Sequence, residues 1–515
     1  MPGPISLEDV RVAIALLETI VEDRALLADV PAEERQALIL AAGRASRPAR
    51  HEATRLVKEF RRRKKQREQA HDRDTRATAG IRAARQSPVF VAPAPARITA
   101  ATEPGDPDGP TLKKPKSCYV CKTDFTRLHF FYDALCADCA SFNYDKRFQS
   151  VPLDGRVAVI TGARVKIGFQ TALKVLRAGG TVVATTRFPH DAAQRYARET
   201  DFDDWKDRLQ IHGLDLRHSP SVEMFTRHLE QTLGRLDILV NNACQTVRRP
   251  PEFYSHLLDF EARRPSELPG ELRPLLRSHE ECVGVLSGAP RLAHHGSADA
   301  TGLDAWHGGG SGIGLVESAQ LSQISYAYDD ATRRVDLFPQ GALDVDLQQV
   351  DLRTRNTWRL TLAEVATPEM LEVHLINAVA PFILCSKLKP LMARDRTGDK
   401  HIVNVSAMEG IFSRGTKTDR HPHTNMAKAA LNMMTLTSAK DYVRDGIHMN
   451  AVDTGWVTDE DPAMHATRKR DELDFQPPLD IVDGAARICD PFFYGLLTGL
   501  HVWGKFLKDY KPSAW

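Results

Sequence analysis

No run of about 18 apolar residues occurs in the 515-residue chain, so nothing in it reads as a membrane-spanning helix. The N-terminus has no basic stretch followed by an apolar core, so no secretory signal is expected. Cysteine is scarce. There are eight, four of them clustered, which excludes a disulfide-stapled scaffold and fits a reducing, cytoplasmic setting. Charge of one sign is missing as well: 69 Lys and Arg against 67 Asp and Glu leave a net +2. The molecule as a whole is therefore not an electrostatic nucleic-acid binder. What is present is a 42% hydrophobic content, enough for a sizeable core, spread over a length that calls for two or three domains.

The chain is organised around RVAVITGARVKIG, residues 156–168. Val157–Ile160 is an apolar run suited to a strand buried on both faces, and Phe169–Ala178 has helical spacing. Strand, glycine turn and helix N-terminus make an anion site, because free backbone N–H groups and the helix dipole converge there. Thr161, Gly162, Arg164, Lys166, Ile167 and Gly168 are the expected diphosphate-binding residues, with Gly168 letting the helix approach the strand. TVVATT, 181–186, reads as a second strand. It ends at Arg187, where dinucleotide folds often carry an acidic residue for the ribose 2′-hydroxyl. A cation there suits a 2′-phosphate, so NADP(H) is favoured over NAD. LQIHGLDL (209–216) reads as a third strand, with Asp215 near an adenine edge, and LDILVNNA (236–243) as a fourth.

Upstream, residues 1–85 read as a helical region, with one helix over Ser6–Leu27 capped by Ser6 and Asp9 and a second starting at Asp29. Arg55–Arg85 holds twelve Arg or Lys against four acidic residues; a solvated charged helix is the expectation and a nucleic-acid arm the alternative. Residues 86–116 are proline-rich and read as a linker. The module 117–150 then carries Cys118 and Cys121, fourteen residues, and Cys136 and Cys139. Two CxxC knuckles let four thiolates surround one Zn²⁺, which is structural because no coordination position stays open. His129 lies between the knuckles as an alternative ligand, with a solvent-facing role expected instead.

TGARVKIG, Asp215, LVNNA, Asn377 in INAVAPF, VNVSAMEG and Lys428 in TNMAKAAL follow one another in an order that resembles the short-chain dehydrogenase/reductase family. The resemblance covers residues 151–515. It implies an α/β fold with a Rossmann-type doubly wound parallel sheet, preceded here by the helical region and the zinc-binding module. It adds Asn242 and Thr458 to the cofactor residues and makes Lys428 the contact to the nicotinamide ribose. It implies IHMNAVDTG (447–455) as the sixth strand, a substrate flap over 456–469, and GKFLKDY (504–510) as the last strand.

The departures are specific. Lys166 stands where the family has glycine. The family's catalytic tyrosine falls on Thr424, a poor general acid, and its serine on Ala407, with Ser406 one residue before. His421 and His423 lie just before Thr424 and either could replace the phenol, His423 being taken into the candidate set; a loop histidine without a catalytic role is the alternative. The candidate catalytic set is therefore Lys428, Asn377, Thr424, His423 and Ser406. An insertion near 248–360 separates Cys244 from Asn377; His294–Gly312 in it reads as mobile, and Ala342–Val350 as strand-like.

Two functions follow from the resemblance. One is an NADP(H)-dependent oxidoreductase acting on a carbonyl or activated double bond with a non-standard catalytic set. The other is a catalytically silent, NADP(H)-responsive scaffold whose insertion and N-terminal region bind a protein partner. Family members usually form dimers or tetramers, so a homo-oligomer is expected unless the insertion obstructs it.

Overall fold

The computed structural model describes residues 5–86, 89–90, 109–288, 312–324, 335–339 and 341–515. Most of the expected linker, and all of the glycine-rich stretch except Gly312, lie outside them. Contacts divide the chain into two compact units, Met1–Asp72 and Arg73–Trp515.

In the first unit, α1 (Leu7–Glu22) opens with a reciprocal capping box between Ser6 and Asp9. The second helix starts later than expected: Asp29 closes a 3₁₀ turn, Pro31 is the cap, and α2 spans Ala32–Ser46. Most of the basic stretch lies in α3 (Arg50–Ala77), a 28-residue helix that begins in this unit and ends five residues past Asp72. No residue of α1 or α2 is buried.

The second unit begins with a short helix α4 (Gly80–Ala84), an antiparallel hairpin of β1 (Thr111–Ser117) and β2 (Asp124–Arg127), and α5 (Ala137–Phe148). An eight-stranded sheet follows, ordered β10-β9-β8-β7-β6-β3-β4-β5. Its strands are β3 (Val157–Thr161), β4 (Thr181–Thr186), β5 (Leu209–Gly213), β6 (Ile238–Asn241), β7 (Lys400–Ser406), β8 (Ile447–Asp453), β9 (Phe506–Lys508) and β10 (Lys511–Ser513). All neighbours pair in parallel except β10, which folds back antiparallel on β9. β3 is an apolar run because helices cover both faces of the sheet, whereas β5, β7 and β8 also carry buried polar residues such as His212, Lys400 and Asn450. The helices α6 (Lys166–Arg177), α7 (Pro189–Ala197), α8 (Phe202–Trp205) and α9 (Ser219–Thr232) alternate with β3–β6. The strand order reverses between β3 and β6, which puts a ligand crevice at their C-terminal ends.

Within the insertion lie α10 (Ser255–Glu261), α11 (Arg273–Gly288) and a one-turn α12 (Ile313–Val316). Ala342–Val350 is not a strand: it makes one isolated bridge, Leu343 to Gln349. The Asp344 carboxylate accepts the Asp346 and Gln348 amides at 2.9 Å each, and Leu347 turns left-handed (φ +56°). These local bonds replace a ladder.

After the insertion, α13 (Thr367–His374) continues through a π turn at Leu375–Val379 into α14 (Ala380–Met392). Among the described residues this is the one helix long and apolar enough to cross a membrane, and 56% of its apolar window is buried inside the fold. Its Ile376, Leu384 and Leu388 belong to the core beneath the sheet. The chain ends with α15 (Pro422–Tyr442), α16 (Ala463–Leu473) and α17 (Ile481–Thr498), around β8 and the terminal hairpin.

Candidate active site and metal centre

The turn after β3 has the shape a diphosphate requires. Gly162 is left-handed (φ +66°), and a Cβ there would come within 2.8 Å of the Ala243 Cα. A Cβ on Gly168 would fall on the Gly162 carbonyl and the Asn242 amide. Asn242 Nδ2 donates to the carbonyls of Thr161 (3.0 Å) and Gly162 (3.2 Å), and Thr161 Oγ1 accepts the amides of Asn242 and Ala243 at 3.0 Å each. Backbone and amide thus brace the turn from the β6 side.

Lys166 opens α6 with φ +55°, a conformation suited to the glycine it replaces. Among the described residues its ammonium forms no ion pair within 4 Å, but it acts on two carboxylates across the turn. Burial alone would raise Glu460, yet Lys166 and Arg249 hold it low. Asp346 of the insertion is instead pushed up by burial to about 6, with Lys166 opposing. Lys166→Gly is expected to stabilise the fold by about 1 kcal/mol, read from a denaturant midpoint, because the strain at a left-handed non-glycine is removed.

The cations separate. Arg164, expected near a phosphate, is buried and donates to Asp191 at 2.6 Å, a carboxylate shared with Arg195. Among the described residues, Arg187 has no carboxylate within ion-pair distance. It donates to the Tyr254 hydroxyl at 2.7 Å, with its guanidinium 4.7 Å from the ring centre. Burial alone would raise that phenol, but Arg187 and Arg249 lower it. Asp215 does not face an open edge: Arg217 takes both carboxylate oxygens, and the Asp215 amide donates to the Gly314 carbonyl of the insertion at 2.8 Å. Arg217 continues to Glu372 (2.8 Å), Glu372 to Gln245 (3.2 Å), and Gln245 to Asn377. The expected adenine edge and the expected relay asparagine are therefore joined by one polar chain.

Two matching models now have their context: one described as short chain dehydrogenase over residues 156–259, the other as Enoyl-(Acyl carrier protein) reductase over 344–476. The chain belongs to the short-chain dehydrogenase/reductase family. An uncharacterised protein of Acanthamoeba polyphaga mimivirus is 28% identical over 404 residues, 76% of this chain and 74% of that one. Dehydrogenase/reductase SDR family member 13 of Bos taurus is 34% identical over 191 residues, 35% of this chain. The match spans 48% of the bovine protein's length. The solved structure of an NADPH-bound carbonyl reductase from chicken fatty liver is 15% identical, with TM-score 0.40, over 70% of this chain and all of that one.

Against the family's pattern, the catalytic positions are placed as follows. Asn377 lies in the π turn, accepting the Gln245 amide at 2.8 Å and donating to its carbonyl at 3.1 Å. Lys428 Nζ donates to the Val405 carbonyl at 2.7 Å. Thr424 Oγ1 donates back to the His421 carbonyl (2.9 Å), and Ser406 Oγ donates to Asn432 Oδ1 (2.6 Å). Ser406, the last residue of β7, follows strand alternation towards α15. His423 is 1% exposed, and burial lowers its pKa to about 4, so its imidazole is neutral at pH 7 and does not serve as an imidazolium general acid. His421 stacks on Trp358 of the insertion, centroids 3.9 Å apart, in a left-handed cap. Thr458 Oγ1 donates to Glu460 (2.8 Å).

Sequence reasoning passed over Asp453, at the end of β8, whose carboxyl burial raises to about 6. The signal was the acid itself in the buried run IHMNAVD. Tyr254 carried no signal, because only folding brings the insertion to Arg187.

The four cysteines converge. The ligand atoms of Cys118, Cys121, Cys136 and Cys139 all lie within 4.8 Å of one another, and Cys121 and Cys136 Sγ are 3.6 Å apart. A four-sulfur set on two knuckles fits one tetrahedral Zn²⁺. His129 is not solvent-facing: its Nδ1 accepts the Phe131 amide at 3.1 Å, and it packs on Phe130 and Tyr144.

Proposed function

We propose that the chain is an NADP(H)-dependent oxidoreductase with a non-standard proton-transfer set, carrying a structural Zn²⁺ on Cys118, Cys121, Cys136 and Cys139. The observation that carries the cofactor reading is Arg187: a half-buried cation at the end of β4, beside a turn shaped by Gly162 and Gly168, hydrogen-bonded to a phenol and, among the described residues, with no carboxylate within ion-pair distance. Such a guanidinium suits a 2′-phosphate. Thr161–Gly168 would hold the diphosphate, and Asn242 keeps that turn open. Bound there, a nicotinamide nucleotide supplies or accepts a hydride for a carbonyl or an activated double bond. Lys428 would orient its ribose, and Asn377 would hold a relay water. With His423 neutral and Thr424 bonded into its own helix, general-acid assistance is weak, a deficit worth about 10²–10⁴-fold in rate.

A second reading, a silent NADP(H)-responsive scaffold, is favoured by one observation: the hydroxyls of Ser406 and Thr424 both donate inward. NADPH oxidation with a panel of aldehydes, ketones and quinones separates the two. Turnover abolished by Lys428→Ala supports the enzyme; tight binding without turnover supports the scaffold. Arg187→Ala is expected to weaken NADPH binding about 10–100-fold, the loss of a charge-assisted bond, while leaving NADH nearly unchanged. Equal loss for both nucleotides would remove the 2′-phosphate assignment.

The same proposal includes a homo-oligomer, which fits the exposed Val379, Phe382, Met426, Met433 and Leu436 on the α14–α15 side. A protein partner for the N-terminal region fits the exposed Val10, Val12, Ile14, Leu16 and Leu17 of α1. The cytoplasmic setting fits eight cysteines without a disulfide among them.

A further inference from the structure

We propose that the four-cysteine module positions the loop that follows β8, the nicotinamide side of the crevice, and that Tyr119 is the residue through which it acts. Tyr119 lies between two metal ligands, Cys118 and Cys121. Its amide donates to the Ala134 carbonyl and the Cys118 amide to the Thr123 carbonyl, each at 2.9 Å, so the knuckle fixes its backbone. Its hydroxyl leaves the module and accepts the Trp456 backbone N–H at 2.9 Å. The preceding Gly455 has φ +76°, and a Cβ there would stand 3.4 Å from the Tyr119 hydroxyl as well as on Leu479.

The contact is not isolated. Cys118, Tyr132 and Leu135 share one apolar cluster with Val457, Leu479, Ile481 and Val482, and Ile167 of the diphosphate turn packs against it. Both shores of the crevice thus rest on the module. The far end of the flap is tied as well: Arg82 donates to Asp133 of the module (2.8 Å) and to Asp474, the residue that caps α16 (2.5 Å). Four thiolates drawn within 4.8 Å repel one another unless a cation lies between them, so the metal sets where Tyr119 stands. The inference depends on the nucleotide reading only for its effect on cofactor affinity.

The test uses the full chain. Bound zinc is measured by elemental mass spectrometry, and amide exchange over residues 453–482 is followed before and after removal by a chelator. Chelation is expected to raise exchange in that segment about tenfold or more, as local opening becomes cheaper by at least one such step. Should chelation unfold the whole chain, Tyr119→Phe decides. It keeps zinc but leaves the Trp456 amide without its acceptor, so exchange at 456–458 rises and NADPH affinity falls about 2–10-fold, the worth of one hydrogen bond. Unchanged exchange at 456–458 in Tyr119→Phe, or a metal-free protein that loosens only within 111–148, overturns the proposal. A wild-type protein that binds no NADPH overturns the nucleotide reading instead, while the exchange measurements still decide the clamp.

Discussion

Arg147→Met is expected to cost about 3–5 kcal/mol of folding stability, because it strands two buried carboxylates. Arg147 Nη1 donates to Asp480 at 2.7 Å and Asp483 at 2.9 Å, and its guanidinium lies 4.4 Å from the Phe131 ring centre. Asp483 is 0% exposed and also accepts the Tyr132 hydroxyl and the Asp480 backbone N–H, the latter at 2.9 Å. Burial would raise both acids; Arg147 holds Asp480 low, while Asp483, beside the Asp480 charge, stays raised. Removing the cation leaves the pair to repel in a dry interior. Denaturant unfolding checks the loss, and the triple variant Arg147→Met with Asp480→Asn and Asp483→Asn should recover most of it. A single variant within 1 kcal/mol of wild type would show that this bridge does not hold α5 to α17.

The second large effect is in pH. Glu369 is 1% exposed, and burial pushes its carboxyl up to about 7. It faces Thr357, Arg248, Arg353 and Glu372, with His423 Nε2 at 3.8 Å. The folded state therefore holds the proton more tightly than the unfolded chain. The associated stability is complete below about 4.3, the ordinary glutamate pKa, and is lost as pH rises through 7. Glu369→Gln has no such proton to lose. Relative to wild type it is expected to gain about 3 kcal/mol between pH 4.5 and pH 8, the equivalent of roughly two and a half pKa units. The His423 imidazole, lowered to about 4, contributes in the opposite direction: its stability is present above 6.5 and is lost as pH falls towards 4. Stability differences between the two proteins that stay flat across this range would show that Glu369 is ionised in the fold.

The parallel sheet and the glycine turn were legible because buried strands carry apolar runs, as in Val157–Ile160, and glycine marks close approach; the order of the strands came from the structure. The four-cysteine cluster was legible from spacing alone, since two knuckles bring their own thiolates together. The insertion was misread at Ala342–Val350, where apolar residues suggested a strand and the Asp344 side chain bent the backbone instead.

What sequence could not place is charge pairing between distant segments. Arg164 and Arg187 look alike as residues near a phosphate, yet one is neutralised by Asp191 and the other faces Tyr254. His423 reads as a proton donor, and burial against α13 makes it a neutral base. Sequence by itself pointed to the parallel strands, the glycine turn and the four clustered cysteines, because each depends on residues close along the chain or on apolar patterning. The tertiary structure alone decided which charges remain available and which hydroxyls point inward, because desolvation and ion pairing depend on neighbours a hundred or more residues away.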